Sequence, residues 1–266
     1  MSMVDTHMHS LHSPDGDTPM PVMAQAALER GLTGLAFAEH AEWFPEDPGY
    51  EYLDLDAYFA DLEAVRSQFG DTLDILAGIE VGNGHDFPRQ ADDLLSRWHF
   101  DVVIGSLHWI GWQKGWEPPV FARGIRDTYD RYFDELIVMV KHADFDVLGH
   151  LDLVRRDSWA LFGHVMGLEV FESKIRRVLS CIVERGRGIE INTSSLRKGL
   201  DQPLPNLQVL RWYRALGGEI LTFGSDAHRP EHIALGFDRA RTLARAAGFE
   251  RLARFRGREV VGWIPL

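Results

Sequence analysis

Short apolar runs rich in β-branched residues alternate along this chain with stretches whose apolar positions recur every three or four residues. The first kind predicts strands at 2–7 (SMVDTH), 34–39, 74–81, 102–107, 146–150, 188–192 and 219–224. The second kind predicts helices at 19–30, 55–69, 87–97, 126–142, 170–185, 205–216 and 236–247. Strict alternation of the two implies parallel strands joined by crossover helices. Seven such strands in 266 residues suit a closed barrel, and the whole chain reads as one domain. An open doubly wound sheet would need a Gly-rich phosphate loop after an early strand, and none stands there. The expected fold is α/β, an irregular TIM-barrel-like (β/α)7 barrel.

Three strand-to-helix connections are long, at 41–54, 109–125 and 151–169. In a barrel they rise on the C-terminal face, where such folds keep their chemistry. The first two carry Trp43, Phe44, Tyr50 and Tyr52, and Trp109, Trp112 and Trp116. These aromatics either pack the loops or sandwich a ring-bearing ligand.

Composition narrows the classes. The chain is 45% hydrophobic, enough for a large core. Its one cysteine, Cys181, sits in an apolar helical pattern and reads as a structural thiol. With no signal-like start and no membrane-length apolar run, a cytosolic protein is expected. The net charge of −12 argues against nucleic-acid or membrane partners. It leaves room for a small phosphorylated substrate, because bound cations reverse the field inside one pocket.

Six of the twelve histidines stand at or just after the end of an expected strand: His7, His9, His40, His108, His150 and His228. Asp15, Glu80 and Asp226 do the same or lie close by. On a barrel all nine converge on one mouth. In Asp5-Thr-His7-Met-His9, strand alternation puts both imidazoles on one side, so both reach one ion. Asp5 shares that parity and is expected to orient a ligand histidine. The i, i+2 arrangement recurs in Asp226-Ala-His228. Imidazole with carboxylate suits Zn²⁺, Mn²⁺ or Fe²⁺ and suits Ca²⁺ poorly. Nine donors predict two to three divalent transition-metal ions, since one tetrahedral site needs four.

These residues resemble the polymerase-and-histidinol-phosphatase (PHP) superfamily, and within it the monofunctional histidinol-phosphate phosphatases. The resemblance runs in order through Asp5-Thr-His7-Met-His9-Ser, Ser13-Pro-Asp15-Gly16, Ala38-Glu39-His40, Gly78-Ile-Glu80, Gly105-Ser-Leu-His108, Gly149-His150-Leu-Asp152 and Gly224-Ser-Asp226-Ala-His228. It implies an irregular (β/α)7 barrel with up to three metals. By that resemblance His7, His9, Glu80 and Asp226 hold one ion, and Glu80 bridges to a second held by His108 and His150. Asp15, His40 and His228 hold the third. Asp15 is a departure, because many of these phosphatases carry histidine there. Three dications against the three carboxylates would leave about +3 in the pocket, a trap for a phosphate dianion. The implied reaction is hydrolysis of L-histidinol phosphate, a step of histidine biosynthesis, by metal-activated hydroxide. Asp226 or His228 is expected to shuttle the proton.

Arg156 and Arg197 are candidates to grip phosphate, since guanidinium matches it bidentately and keeps its charge. Arg155 competes with Arg156, and Lys198 reads as solvent-exposed. His12 and Glu42 are candidate substrate contacts, the latter for an imidazole or ammonium group, and Asn83 is a weaker one. His85 and His232 sit near the mouth, whereas His99, His142 and His164 read as surface residues. Two other functions compete. An amidohydrolase-type metal hydrolase also opens with H-x-H, but commonly needs a lysine after the fourth strand, and Ser106-Leu107-His108 supplies none. A non-catalytic metal-binding module would be expected to have lost some of the nine ligands.

Overall fold

A computed structural model describes residues 3–266. The chain runs β1 (Val4–Met8), α1 (Met20–Glu29), β2 (Gly34–Ala41), α2 (Leu55–Phe69), β3 (Asp74–Gly82), α3 (Pro88–Arg97) and β4 (Val102–Ser106). It continues through a small hairpin, β5 (Trp109–Ile110) and β6 (Gln113–Lys114), then α4 (Ile125–His142), β7 (Val147–Leu148), α5 (Leu153–Phe162) and α6 (Glu172–Glu184). The last part is β8 (Gly188–Asn192), the single turn α7 (Ser194–Arg197), α8 (Leu207–Ala215), β9 (Leu221–Gly224), α9 (Phe237–Ala246), β10 (Arg251–Arg256) and β11 (Glu259–Pro265).

Seven parallel strands form the sheet β1-β2-β3-β4-β7-β8-β9 and curl into a nearly closed barrel. Helices cover the outer face and side chains fill the inside, so the strands are buried on both faces. That is why they read as near-continuous apolar runs, as in Ile75–Val81. The first and last strands meet just past their ends, where Asp226 N–H donates to His7 O at 2.7 Å and His9 N–H to Ala227 O at 2.8 Å. Asp5 stitches the same seam: its Oδ1 accepts from Ser225 N–H at 2.9 Å and its Oδ2 from Ala234 N–H at 3.2 Å. Its Oδ1 also accepts from His7 N–H at 3.3 Å, so Asp5 is a backbone clasp that holds the main chain of His7 and does not touch its ring. Burial pushes its carboxyl up to about 6.

The strand and helix expectations hold with edges shifted by a few residues, and two have a clear cause. Ser2, expected to open the first strand, lies outside the described residues. The fifth barrel strand shrinks from 146–150 to two residues. The Asp146 carboxylate there accepts the Val103 N–H at 2.9 Å, a role usually left to a strand carbonyl. Two expectations are corrected. The connection 151–169 is no loop, because α5 occupies its first half. The sequence reading also ended at α9, whereas β10 and β11 follow.

That terminal hairpin closes the N-terminal end of the barrel. Its two turn residues, Gly257 and Arg258, both have positive φ (54° and 67°), the conformation of a tight primed hairpin turn. The tip reaches carboxylates that open or precede the strands. Arg258 forks onto Asp144 at 2.7 Å and Asp146 at 3.0 Å, and Arg256 reaches Asp101 at 3.2 Å and also pairs with Asp74. Among the described residues no helix is long and apolar enough to cross a membrane.

Removing Arg258 leaves buried Asp146 with Arg187 as its remaining cationic partner. Arg258→Ala should lower unfolding free energy by about 2–4 kcal/mol. A urea midpoint equal to that of the unaltered protein would show that the clamp contributes nothing. Metal content should not change, because the substitution lies at the end away from the nine expected ligands.

Candidate metal centre

Strand alternation on β1 aims His7 and His9 into the barrel mouth, with ring centroids 5.2 Å apart. Glu80, near the end of β3, lies at the centre of the cluster. Its Oε2 is 3.3 Å from His7 Nε2, 3.6 Å from His9 Nε2 and 3.0 Å from His40 Nδ1. Its Oε1 is 3.3 Å from His108 Nε2, 2.9 Å from His150 Nε2 and 2.6 Å from Ser106 Oγ. Asp226 Oδ1 stands 3.5 Å from His9 Nε2, and Asp15 bridges His40 (3.6 Å) and His228 (2.9 Å). His40 and His228 stack on His9, with ring centroids 4.3 and 4.2 Å from it. All nine expected ligands thus meet at one mouth.

A second layer fixes which ring nitrogen faces inward. Glu190 Oε1 lies 2.7 Å from His7 Nδ1, Ser13 Oγ 3.1 Å from His9 Nδ1, and Glu42 Oε1 2.6 Å from His108 Nδ1. His228 Nδ1 donates to Asp226 O at 2.9 Å. In each case Nε2 is left to face the cavity, the arrangement that orients a ligating imidazole. Glu190 further accepts from His150 N–H and from Asn192 Nδ2. Gly224 leaves the space it occupies, because a Cβ there would sit 1.8 Å from Glu190 Oε1. Glu39 holds Ser10 and Ser13 in the same way, each Oγ at 2.6 Å.

These residues fit a set of divalent cations. His7 Nε2, His9 Nε2 and His228 Nε2 are buried without a hydrogen-bond partner. His40 Nδ1 is close to Glu80 but not aligned to bond it. Donors that approach without bonding one another are what a shared ion requires. Three overlapping triads have donor atoms close enough to share an ion: His7/His9/Asp226, His40/Glu80/His108 and His9/His40/His228. Burial opposes charge on His7, His40 and His108, but the carboxylates beside them raise all three above the usual imidazole range, so protons stand where cations would replace them. Burial opposes charge on Glu80 and Asp226, but the surrounding imidazoles outweigh it and hold both well below the carboxylate range. His9 goes the other way: burial, reinforced by His228 and His40, lowers it to about 3, leaving a neutral ligand.

The candidate substrate residues divide. Arg156 lines the cavity of about 480 Å³ above the cluster, its Nη1 3.5 Å from Asp226 Oδ2 and 3.2 Å from Ser194 Oγ. Arg155 is buried against Asp152 and Gln202 and does not line it. Lys198 is exposed, as expected, and also stands at the cavity rim. Arg197 does not line the cavity. Two of its N–H groups grip Ser225 O and Asp226 O, each at 2.6 Å, and so hold Asp226 in its left-handed conformation (φ 54°). His12 turns outward to Asp61 at 3.0 Å. Glu42 lines the cavity but is engaged by His108, and burial raises its carboxyl.

Asn83 is likewise engaged with backbone. Its Oδ1 accepts from His108 N–H and Trp109 N–H, both at 2.9 Å. Phe44 stacks on Trp109, with centroids 4.5 Å apart, and both are buried, so these rings pack the loops. Trp116 alone of the seven loop aromatics lines the cavity, whereas Trp112 is 76% exposed. His99, His142 and His164 are surface residues, as expected.

Glu190 has no place among the sequence-based candidates, and Glu39 and Ser13 stand in the resemblance motifs without a role of their own. A carboxylate in the apolar strand GIEIN, with no surface to face, is the signal that exposes Glu190.

The PHP domain profile matches residues 5–194. A probable histidinol-phosphatase of Clostridium acetobutylicum is 29% identical over 90% of this chain and 92% of its own length. The histidinol-phosphatase of Lactococcus lactis is 27% identical over 98% and 97%. The crystal structure of histidinol phosphate phosphatase from Lactococcus lactis, complexed with zinc, L-histidinol and phosphate, superposes with a TM-score of 0.86. It is 23% identical and covers 98% of this chain and 100% of that one, a likeness of fold.

Glu190→Gln keeps the shape but loses the carboxylate that sets His7. Metal affinity, measured by competition with a chromogenic chelator, should fall about 10–100-fold. Unchanged affinity in a variant with the normal circular dichroism spectrum would remove Glu190 from the centre.

Proposed function

The chain belongs to the PHP family, and from that premise we propose that it is a metal-dependent phosphomonoesterase that hydrolyses L-histidinol phosphate to L-histidinol and phosphate. The observation that carries this reading is that nine candidate ligand side chains cluster at one barrel mouth, beneath a cavity that Arg156 lines. The relatives' names supply the alcohol, and the site supplies the chemistry.

The centre is read as holding two to three Zn²⁺, Mn²⁺ or Fe²⁺ ions. His7, His9, Glu80 and Asp226 would hold one, Glu80, His108 and His150 a second, and Asp15, His40 and His228 a third. Bound there, such ions polarise phosphoryl oxygens and lower the pKa of water to ~7, which provides a nucleophile at neutral pH.

The chain's own residues do the rest. Arg156 sits at the lip with a guanidinium N–H directed at the cluster and would hold a phosphate oxygen through turnover. Asp226 stays ionised and acts as ligand, because His9, His7 and His228 overcome the burial that would raise it. The proton returned to the departing alkoxide then falls to a mouth histidine, and His228 is the most exposed of the six. Selectivity for the alcohol rests on the wall formed by Trp116, Pro48 and the Asp47 carboxylate. Asp47 Oδ1 accepts from Gly49 N–H and Oδ2 from Trp109 Nε1–H, each at 2.7 Å, so the carboxylate is held in place at the cavity wall and its remaining lone pairs would meet an ammonium or ring N–H. An amidohydrolase reading is disfavoured because no lysine follows β4, where Ser106-Leu107-His108 stand, and Glu80 on β3 is available to bridge instead. A cytosolic location goes with the biosynthetic role of the named relatives.

Arg156→Ala should cut kcat/KM for a phosphate monoester by about 10–100-fold, mostly through KM. Wild-type kinetics with unchanged inhibition by inorganic phosphate would show that Arg156 does not touch phosphate.

Among histidinol phosphate, nucleoside monophosphates, phosphotyrosine and an aryl phosphate, histidinol phosphate should give the highest kcat/KM. A tenfold advantage for any other ester would overturn the substrate while leaving a metal phosphoesterase.

A further inference from the structure

Outside the barrel mouth, one group of side chains has ligand chemistry and an imidazole without a bonding partner. His85 and Asp86 lie in the turn after β3, and Glu135 projects from α4. The His85 side chain is only 5% exposed, and among the described residues neither of its ring nitrogens makes a hydrogen bond. Its Nε2 stands 3.6 Å from Asp86 Oδ2 and 3.8 Å from Glu135 Oε1. Those distances are too long for hydrogen bonds. They approach the ~3.4 Å that separates two donors each bound ~2.1 Å from one tetrahedral ion.

The carboxylates are aimed but not neutralised. Gly111 N–H fixes Glu135 through Oε2 at 2.7 Å, which leaves Oε1 toward His85. Asn83 Nδ2 fixes Asp86 at 3.1 Å. Among the described residues no lysine or arginine pairs with either acid. Arg131, on the same helix as Glu135, turns instead to Ile110 O and Gln113 Oε1.

We propose that His85, Asp86 and Glu135 form a further divalent-cation site, separate from the cluster in the barrel mouth. None of the three lines the central cavity. One imidazole and two carboxylates, with water completing the shell, suit Mn²⁺ or Zn²⁺ over Ca²⁺. The site is a brace. Asp86 is bonded to Asn83, which holds the backbone of His108, and Glu135 is bonded to the β5–β6 turn that follows it. An ion joining the three ties the β3 turn to α4 behind that ligand.

The test is a titration of Mn²⁺ into the metal-stripped full chain, with free ion counted by its EPR signal. The unaltered protein should bind one more ion per chain than His85→Asn and one more than Glu135→Gln. Thermal unfolding should show the same split, with Mn²⁺ raising Tm further in the unaltered protein than in either variant. Superimposable isotherms for all three proteins would overturn the site. Circular dichroism checks folding, and if His85→Asn fails to fold, Glu135→Gln decides alone. The readout is ion number, so it stands whether or not the enzyme acts on histidinol phosphate.

Discussion

A single buried carboxylate facing five imidazoles is the constraint from which the rest of the mouth follows. Glu80 has almost no access to water, so its charge must be met by groups delivered from other strands. β1 delivers His7 and His9, β2 His40, and the ends of β4 and β7 His108 and His150. The rings in turn need their outward nitrogens fixed, and Glu190, Ser13 and Glu42 do that. The polar interior of this barrel is thus an ordered series of carboxylate–imidazole pairs in which each layer positions the one inside it. Such networks are costly when half satisfied, and the unpartnered nitrogens at the innermost layer mark where cations complete it.

The opposite end of the barrel solves a similar problem with fixed charges. Asp74 opens its strand and Asp101, Asp144 and Asp146 precede theirs, and the arginines of the terminal hairpin, with Arg66 and Arg187, reach them from outside. Arginine cannot give up its charge under ordinary conditions, so that end is locked. The mouth instead uses histidine, which exchanges protons for metal ions.

Much of this was legible in the chain. The seven strands and their helices announce themselves by periodicity, and the nine candidate ligands that meet at the mouth by where they fall relative to strand ends. What was not legible depends on direction and distance. Arg197 follows its strand as a phosphate-gripping arginine would, yet a neighbouring strand end offers two carbonyls that capture it. His12 comes only three residues after His9, but the turn at Leu11–His12 sends it out to Asp61. Asp5 has the parity of His7, and the seam with β9 captures it first. Glu42 reads as a loop acid until His108, far away in sequence, comes within 2.6 Å. The hairpin at the end was missed because a register shift between Arg254 and Phe255 breaks the alternation of β10, which buries Leu252 and Ala253 in succession.

The seam between β1 and β9 carries a consequence of its own. Thr6 bonds Phe223 O across 217 positions and Asp5 bonds Ser225 across 220, so the two edges that complete the barrel are almost the whole chain apart. Closing so long a loop is entropically costly and late. His7 and His9 lie on one side of the seam and Asp226 and His228 on the other. A partly folded chain can therefore present only half of the site that His7, His9 and Asp226 would share. Ion uptake should lag behind secondary structure during refolding, and slow escape of a bound ion would time the breathing of that seam, making the cation a clock for the last contact to form and the first to part.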